Sequence, residues 1–410
     1  MKIPITGRGL VTPLGNGLKA NLKALRTGVP GTVFVPEWEE MNLQSCVGGL
    51  VNMDFTCPIL NKNNLRFSSP NSKMAIYAAY EAVIEAGLTP EELSGKRVAV
   101  ILGCGGSSFI TVFEGAQILL KTEKVKRVSP FAVTKIMNSC AAANISLTLK
   151  LTGESYSISS ACTSSAHSII TAVRLIKDGL YDMVITGGSE ETSWLNALGF
   201  DAMRALTRTY NDTPEKASRP FDKDRTGFVI AEGAGILILE HPDHAEARGA
   251  EPKAFISGIA TNSNAYDMVV PSAEFSAELM NNAIKDAGLN LEDISYINAH
   301  GTSTPTGDPV ELDAVKLLFQ DQAGNIPVSS TKSLTGHMIG ATGAVEAIYS
   351  TIMMENNFIA PTANMENTDE GYEWADLVPL KSRENVSIKH TLSNSFGFGG
   401  TNGSLVISKA

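Results

Sequence analysis

The segment Glu81-Ala-Val-Ile-Glu-Ala-Gly-Leu-Thr-Pro-Glu-Glu-Leu93 returns, altered, as Asn282-Ala-Ile-Lys-Asp-Ala-Gly-Leu-Asn-Leu-Glu-Asp-Ile294. In each copy a helical pattern runs into a glycine, the residue that accepts the left-handed conformation closing many helices. A β-branched strand follows in both, Arg97–Leu102 in one and Ile294–Ala299 in the other, and each runs into a turn of small residues. A repeated order of helix, cap, strand and turn predicts an α/β chain built by internal duplication. Asp182–Thr186, Gly235–Leu239 and Ile326–Ser330 read as further buried strands, and 340–354 as a helix. The polar stretch Ala245–Pro252 predicts the seam, giving halves 1–249 and 250–410. With 410 residues and no long linker, two domain-sized cores in one body are expected.

Charge and cysteine usage narrow the function. A net charge of −10 argues against nucleic-acid binding. Five cysteines show neither a C-x-x-C pair nor a zinc pattern, which suits a reducing, cytoplasmic setting. No stretch reads as a signal peptide or a membrane span. Basic residues gather in two places. Lys124, Lys126 and Arg127 follow Lys121, and Lys62 stands near Arg66. Such clusters fit an acidic partner.

Cys162 lies in Tyr156-Ser-Ile-Ser-Ser-Ala-Cys-Thr-Ser-Ser-Ala-His-Ser-Ile-Ile170, which reads as strand, small-residue turn and amphipathic helix. A thiol at a helix N-terminus is expected to favour the nucleophilic thiolate. Small neighbours leave room for a bulky electrophile. His300 ends the strand Ile294–Ala299, at the strand end where open α/β folds hold ligands. Its loop offers Thr302, Thr304 and Thr306. Asp308 and Glu311 then read as a capping box with Pro309 in the first turn. His337 follows Lys332 in a glycine-rich segment, and Glu346 sits in an apolar helix, where a carboxylate needs a partner. Lys332 is the nearest candidate. Near the C-terminus, Ser393-Asn-Ser-Phe-Gly-Phe-Gly-Gly-Thr-Asn402 offers backbone amides for an oxyanion. His167, His241, His244 and His390 have no comparable setting.

Four segments together carry a resemblance: Ser160-Ala-Cys-Thr-Ser164, Ala299-His-Gly-Thr-Ser-Thr-Pro305, Ser330-Thr-Lys-Ser-Leu-Thr-Gly-His337 and Asn394–Asn402. The chain resembles the β-ketoacyl-[acyl carrier protein] synthases that elongate fatty acids, nearly end to end. Tyr156–Ser160, Tyr210–Ser218 and Phe358–Pro361 look closer to the type I branch than to type II. Two places depart from the family pattern: Arg8, where an apolar residue is usual, and Glu37–Leu50.

The resemblance implies a thiolase-like fold, with two halves stacked as αβαβα layers, and a homodimer. It implies that Cys162 takes an acyl chain from acyl carrier protein and that the amides of Cys162 and Phe398 hold the oxyanion. His300 and His337 would then stabilise the enolate left when malonyl carrier protein loses carbon dioxide. Lys332 and Glu346 would orient the histidines, and Thr302 and Thr304 would touch the phosphopantetheine arm. Apart from the resemblance, Phe398 lies between Gly397 and Gly399, which permit a backbone swing, and is expected to gate the acyl pocket. No cofactor is implied. Lys62, Arg66, Lys124, Lys126 and Arg127 are the expected carrier dock.

Alternatives remain within and outside this chemistry. A thiolase would carry a second cysteine late in the chain, and none follows Cys162. An initiating synthase of the third type would place Asn at His337. A dedicated polyketide or aryl-polyene ketosynthase would use the same residues. A non-catalytic, carrier-binding chain-length partner would lack the cysteine.

Overall fold

The computed structural model describes residues 1–410. Ten strands form one continuous mixed sheet path: β1 (Ile3–Thr12), β2 (Ala99–Gly103), β3 (Ser155–Ile158), β4 (Met183–Glu190), β5 (Gly233–Glu240), β6 (Ala254–Ser263), β7 (Tyr296–Asn298), β8 (Val328–Ser329), β9 (His390–Gly397) and β10 (Thr401–Lys409). The first five lie in the order β3-β2-β4-β5-β1, and the last five in the order β8-β7-β9-β10-β6. In each half the first two of these pairings are parallel and the next two antiparallel. Strand n of the first half therefore matches strand n+5 of the second. The halves join edge to edge where Ile3–Ile5 pairs antiparallel with Ala254–Ile256.

The helices repeat in the same way. We label α1 Pro70–Glu85, α2 Cys140–Leu149, α3 Ser164–Lys177, α4 Ala273–Asp286, α5 Gly307–Phe319 and α6 Thr342–Asn356. The two copies of the duplicated segment end α1 and α4. Their glycines, Gly87 and Gly288, take φ of 71° and 68°, as expected of left-handed caps. A strand glycine faces each helix. A Cβ on Gly7 would lie 2.1 Å from the Ala82 carbonyl oxygen, and one on Gly258 would lie 2.2 Å from that of Ala283. Ala82 and Ala283 are matched positions of the repeat, so the same close strand–helix approach was copied with it.

Five layers result, as the fold expectation required. Outer helices α1 and α2 cover the first set of strands, and α4 and α5 cover the second. Helices α3 and α6 pack together between the two sets. Because side chains alternate along a strand, β2 serves two layers. Ala99 and Ile101 face the central helices, where Ile169, Val173, Ile176, Val345 and Ile348 also meet. Val100 and Leu102 face the outer layer. Burial on both faces explains the continuous apolar runs of these strands. The predicted strands at 97–102, 182–186, 235–239, 294–299 and 326–330 all appear, with ends shifted by a few residues.

Candidate active site

The site gathers at the carboxyl ends of β3, β7, β8 and β9. Between β3 and α3 the chain turns through Ala161, held at a strained φ of 50°. Ser164 locks this turn: its hydroxyl donates to the Ala161 carbonyl at 2.7 Å and accepts the Ser160 N–H at 2.9 Å. Cys162 projects from the turn into a cavity of about 350 Å³ that His300, His337 and Phe398 also line. The amides of Phe398 and of Cys162 itself reach the sulfur. The same two donors can hold an oxyanion that grows on a carbonyl beside it.

The expected thiolate is not the resting form. Burial pushes the Cys162 thiol up to about 12, and Glu190 adds to the rise, while Lys332 and the two amides pull the other way. Desolvation of a buried anion outweighs the helix end, because α3 begins only at Ser164.

His300 and His337 stand with ring centroids 5.5 Å apart and planes nearly perpendicular. Burial, helped by the Lys332 charge, holds both well below the usual histidine range, so both rings are neutral. The Nδ1 of His337 meets the Thr342 hydroxyl at 3.0 Å. Its Nε2 has no protein partner. A Thr342 hydroxyl that donates to Nδ1 leaves the proton on Nε2, free to donate to a ligand. Phe228 packs 5.6 Å from His337, and Phe396 packs 5.5 Å from His300, which keeps water from the rings.

Lys332 and Glu346 form the expected pair, with Nζ 2.6 Å from Oε1 and both side chains almost wholly buried. Burial raises the Glu346 carboxyl to about 7 against the pull of Lys332. Thr302 and Thr304 line the cavity, their hydroxyls 3.2 Å apart. Phe398 borders both this cavity and a second, apolar one of about 600 Å³ lined by Val112, Phe113, Leu195 and Phe200.

The capping box is corrected. Helix α5 starts at Gly307 with no side-chain cap. The Asp308 carboxylate instead accepts the N–H groups of Phe221, Ser303 and Thr304. Glu311 accepts those of His300 and Gly301. Both acids turn back to hold the histidine loop, whose amides need acceptors once buried.

Sequence profiles agree with this geometry. The profile "Beta-ketoacyl synthase, N-terminal domain" matches residues 1–245, and "Beta-ketoacyl synthase, C-terminal domain" matches 253–366. The chain is 42% identical over 406 residues to 3-oxoacyl-[acyl-carrier-protein] synthase 1 of Haemophilus influenzae, covering 99% of this chain and 98% of the relative. The chain belongs to the beta-ketoacyl synthase family.

Other members of the family are similarly close. Synthase 1 of Escherichia coli K12 is 43% identical with 99% and 98% coverage, and synthase 2 of Vibrio cholerae is 40% identical with 100% and 99% coverage. Both branches thus stand near this chain. The crystal structure of a beta-ketoacyl synthase from Burkholderia phymatum covers 100% of the chain and aligns over 99% of its own, with a TM-score of 0.94 at 33% identity. The thiolase-like fold of the synthases is therefore the fold of this chain.

The basic clusters of this synthase lie outside the cavity. Lys62 starts a short helix and Arg66 follows it, and Lys124, Lys126 and Arg127 occupy an exposed turn. The Arg66 guanidinium lies 4.8 Å from the Phe67 ring and 5.7 Å from that of Phe131, which follows Arg127 closely in the chain. That stacking brings the two clusters to one flank, and none of the five cations has an acidic partner within ion-pair distance.

Sequence reasoning missed four residues. Glu190 is buried and accepts the N–H groups of Gly105, Gly106 and Gly340, tying the loop after β2 to the His337 loop. Phe228 and Thr342 bear on His337. Glu190 and Phe228 stand in no motif with catalytic residue types, and Thr342, though between His337 and Glu346, is marked only by its contact in the fold. His167 has no motif around it, yet its ring bridges two segments of the site.

Proposed function

We propose that this chain is a 3-oxoacyl-[acyl carrier protein] synthase of fatty acid elongation. One observation carries the reading: a single cavity holds the Cys162 thiol, two backbone amides aimed at its sulfur, and two neutral histidines. In the first half-reaction the Cys162 sulfur attacks the acyl thioester of the carrier. The amides of Cys162 and Phe398 hold the oxyanion, and the carrier thiol leaves with the thiol proton. In the second, malonyl carrier protein loses carbon dioxide. The bond electrons pass to an enolate, whose oxygen His300 and His337 stabilise through N–H donors. The enolate carbon attacks the acyl-cysteine, a C–C bond forms, and the Cys162 thiolate leaves and regains a proton from solvent.

No resident cofactor is needed, since loss of the malonyl carboxylate supplies the carbanion. Lys332 and Glu346 act through the histidines, the cation keeping both rings neutral. Thr302 and Thr304 face the path of a pantetheine arm. An acidic carrier fits the flank of Lys62, Arg66, Lys124, Lys126 and Arg127. One neighbour supports such docking, a type II polyketide ketosynthase solved in complex with its acyl-carrier protein, at 28% identity and a TM-score of 0.88. A homodimer fits the outer edge of β3, which pairs only with β2 and ends the sheet path with Ser155 and Tyr156 exposed. No helix is long and apolar enough to cross a membrane. The free state of all five cysteines supports a cytoplasmic site of action.

The test is mass spectrometry of carrier-bound products after mixing the protein with acyl and malonyl carrier protein. A 3-oxoacyl chain two carbons longer, lost in Cys162→Ala, is expected. Absence of that product overturns the reading. Repeated extension without an intervening reduction would favour the polyketide alternative. Charge reversal at Lys124 and Lys126 should raise KM for carrier substrates about tenfold and spare a pantetheine thioester, since exposed charges act through long-range attraction. Equal effects on both substrates would remove the dock.

A further inference from the structure

Ser160 and Asn402 lie far apart in sequence, yet one imidazole spans the gap between them. The Nδ1 of His167 is 2.8 Å from the Ser160 hydroxyl. Its Nε2 is 2.8 Å from the Thr261 hydroxyl and 3.2 Å from the Asn402 carbonyl. Thr261 in turn donates to the Asn402 carbonyl at 2.9 Å. With the Thr261 proton so committed, Nε2–H donates and Nδ1 accepts from Ser160. The pattern needs a neutral ring, and burial lowers the His167 pKa accordingly.

Each end of the bridge lies next to the segment that carries one oxyanion donor. Ser160 begins the turn that carries Cys162, and its carbonyl accepts the Thr163 N–H at 3.1 Å. Asn402 is the second residue of β10, just after the loop that carries Phe398. The Asn402 side chain donates to Asn264 at 2.6 Å, and the Asn264 N–H donates to the Gly400 carbonyl at 2.9 Å. His167 itself does not line the cavity.

We propose that His167 is a positioning residue that fixes the Cys162 turn against the Phe398 loop, so that two amides from distant segments converge on one oxyanion. The inference rests on the condensing reading above and adds a residue that reading does not use. Catalysis by such donors is sensitive to placement, because a displacement of about 1 Å can cost about a hundredfold in rate. Transfer of the acyl group to Cys162 should therefore depend on His167. Malonyl decarboxylation depends on the histidine pair and should not.

The experiment compares His167→Ala, His167→Gln, Ser160→Ala and the Ser160→Ala/His167→Ala double variant. Rapid quench with acyl carrier protein should show acylation slowed by about tenfold or more in His167→Ala. His167→Gln, which keeps a donor toward Thr261 but gives up the Ser160 contact, should fall between. The double variant should be no slower than the worse single, because one strut is removed in each. Carbon dioxide release from malonyl carrier protein alone should stay within about twofold of wild type. Wild-type acylation rates in His167→Ala, or parallel loss of both half-reactions, would overturn the proposal. Hydrogen exchange reads the strut without substrate. Peptides covering 160–163 and 397–402 should both exchange faster in His167→Ala, and unchanged exchange would also overturn it. A wild-type protein that takes no acyl group would overturn the condensing reading, while the exchange result would still judge the strut.

Discussion

The Glu311 carboxylate accepts the backbone N–H of His300 at 2.9 Å and that of Gly301 at 2.8 Å, and it also takes a bond from Asn394 at 3.2 Å. A buried acid on α5 thus sets the backbone from which the histidine projects. Burial raises its pKa against those amides and against the Lys332 charge. Glu311→Gln replaces one acceptor oxygen with an NH₂ facing an N–H. A loss of about 1–3 kcal/mol in folding stability is expected. Decarboxylation should fall more steeply than carrier binding, since the histidine moves and the dock does not. Denaturant unfolding with steady-state kinetics checks both, and an unchanged kcat would show that His300 is placed by other contacts.

Protonation of the site gives two opposite pH signatures. With the Cys162 pKa near 12, the thiolate fraction is small and keeps growing through the range where an ordinary thiol, near about 8.5, levels off. Iodoacetamide alkylation should climb about tenfold per pH unit to at least about pH 10. A plateau near neutrality would reveal a stabilised thiolate. The histidines shift the other way. In the fold they stay neutral below the ordinary value of about 6.5, whereas in the unfolded chain they protonate there. The unfolded state then binds more protons, so stability falls as pH drops below about 6.5. Decarboxylation should stay level through that pH and decline only well below it. Lys332→Met removes the cation beside both rings and should move the acid limb upward.

Arg8, the residue that departs from the family pattern, is buried in β1 and bridges the two halves. Its guanidinium binds Glu85 at the end of α1 and Glu355 and Thr351 near the end of α6. Arg8→Leu leaves two carboxylates facing each other. Glu355 is 37% exposed, so water offsets part of the loss. We expect about 2–3 kcal/mol of destabilisation, below the range for a fully buried pair. Adding Glu85→Gln and Glu355→Gln should recover most of it in thermal or denaturant unfolding. Failure to recover would mean that Arg8 packs rather than neutralises.

Phe398 stands between the catalytic cavity and the apolar one, with its ring centroid 6.4 Å from that of Phe200. Gly399 and Gly400 behind it take positive φ, of 86° and 69°. Phe398→Ala keeps the backbone amide and opens the wall. Acylation should survive within about tenfold, while the order in which the two carrier substrates act should loosen. Rapid quench with the order of addition reversed checks this, and wild-type order in the alanine variant would reduce Phe398 to packing.

The duplication, the glycine caps and the residue types at Cys162, His300, His337 and Lys332 were legible in the sequence because each is a local signal. A cap needs only its own φ, and a strand shows its own alternation. Pairing across the chain was legible only where chemistry forced it, as for Glu346, a carboxylate in an apolar helix that needed a nearby cation. The rest depended on tertiary distance. Asp308 and Glu311 read as a helix cap because spacing along one helix is all a sequence displays. In the fold their oxygens find stronger claims from the buried amides of the histidine loop. Cys162 read as a thiolate because a helix end is a local feature, and burial, a property of the whole fold, reversed it. His167 carried no signal, since its partners Ser160, Thr261 and Asn402 meet only when the strands of both halves are laid side by side.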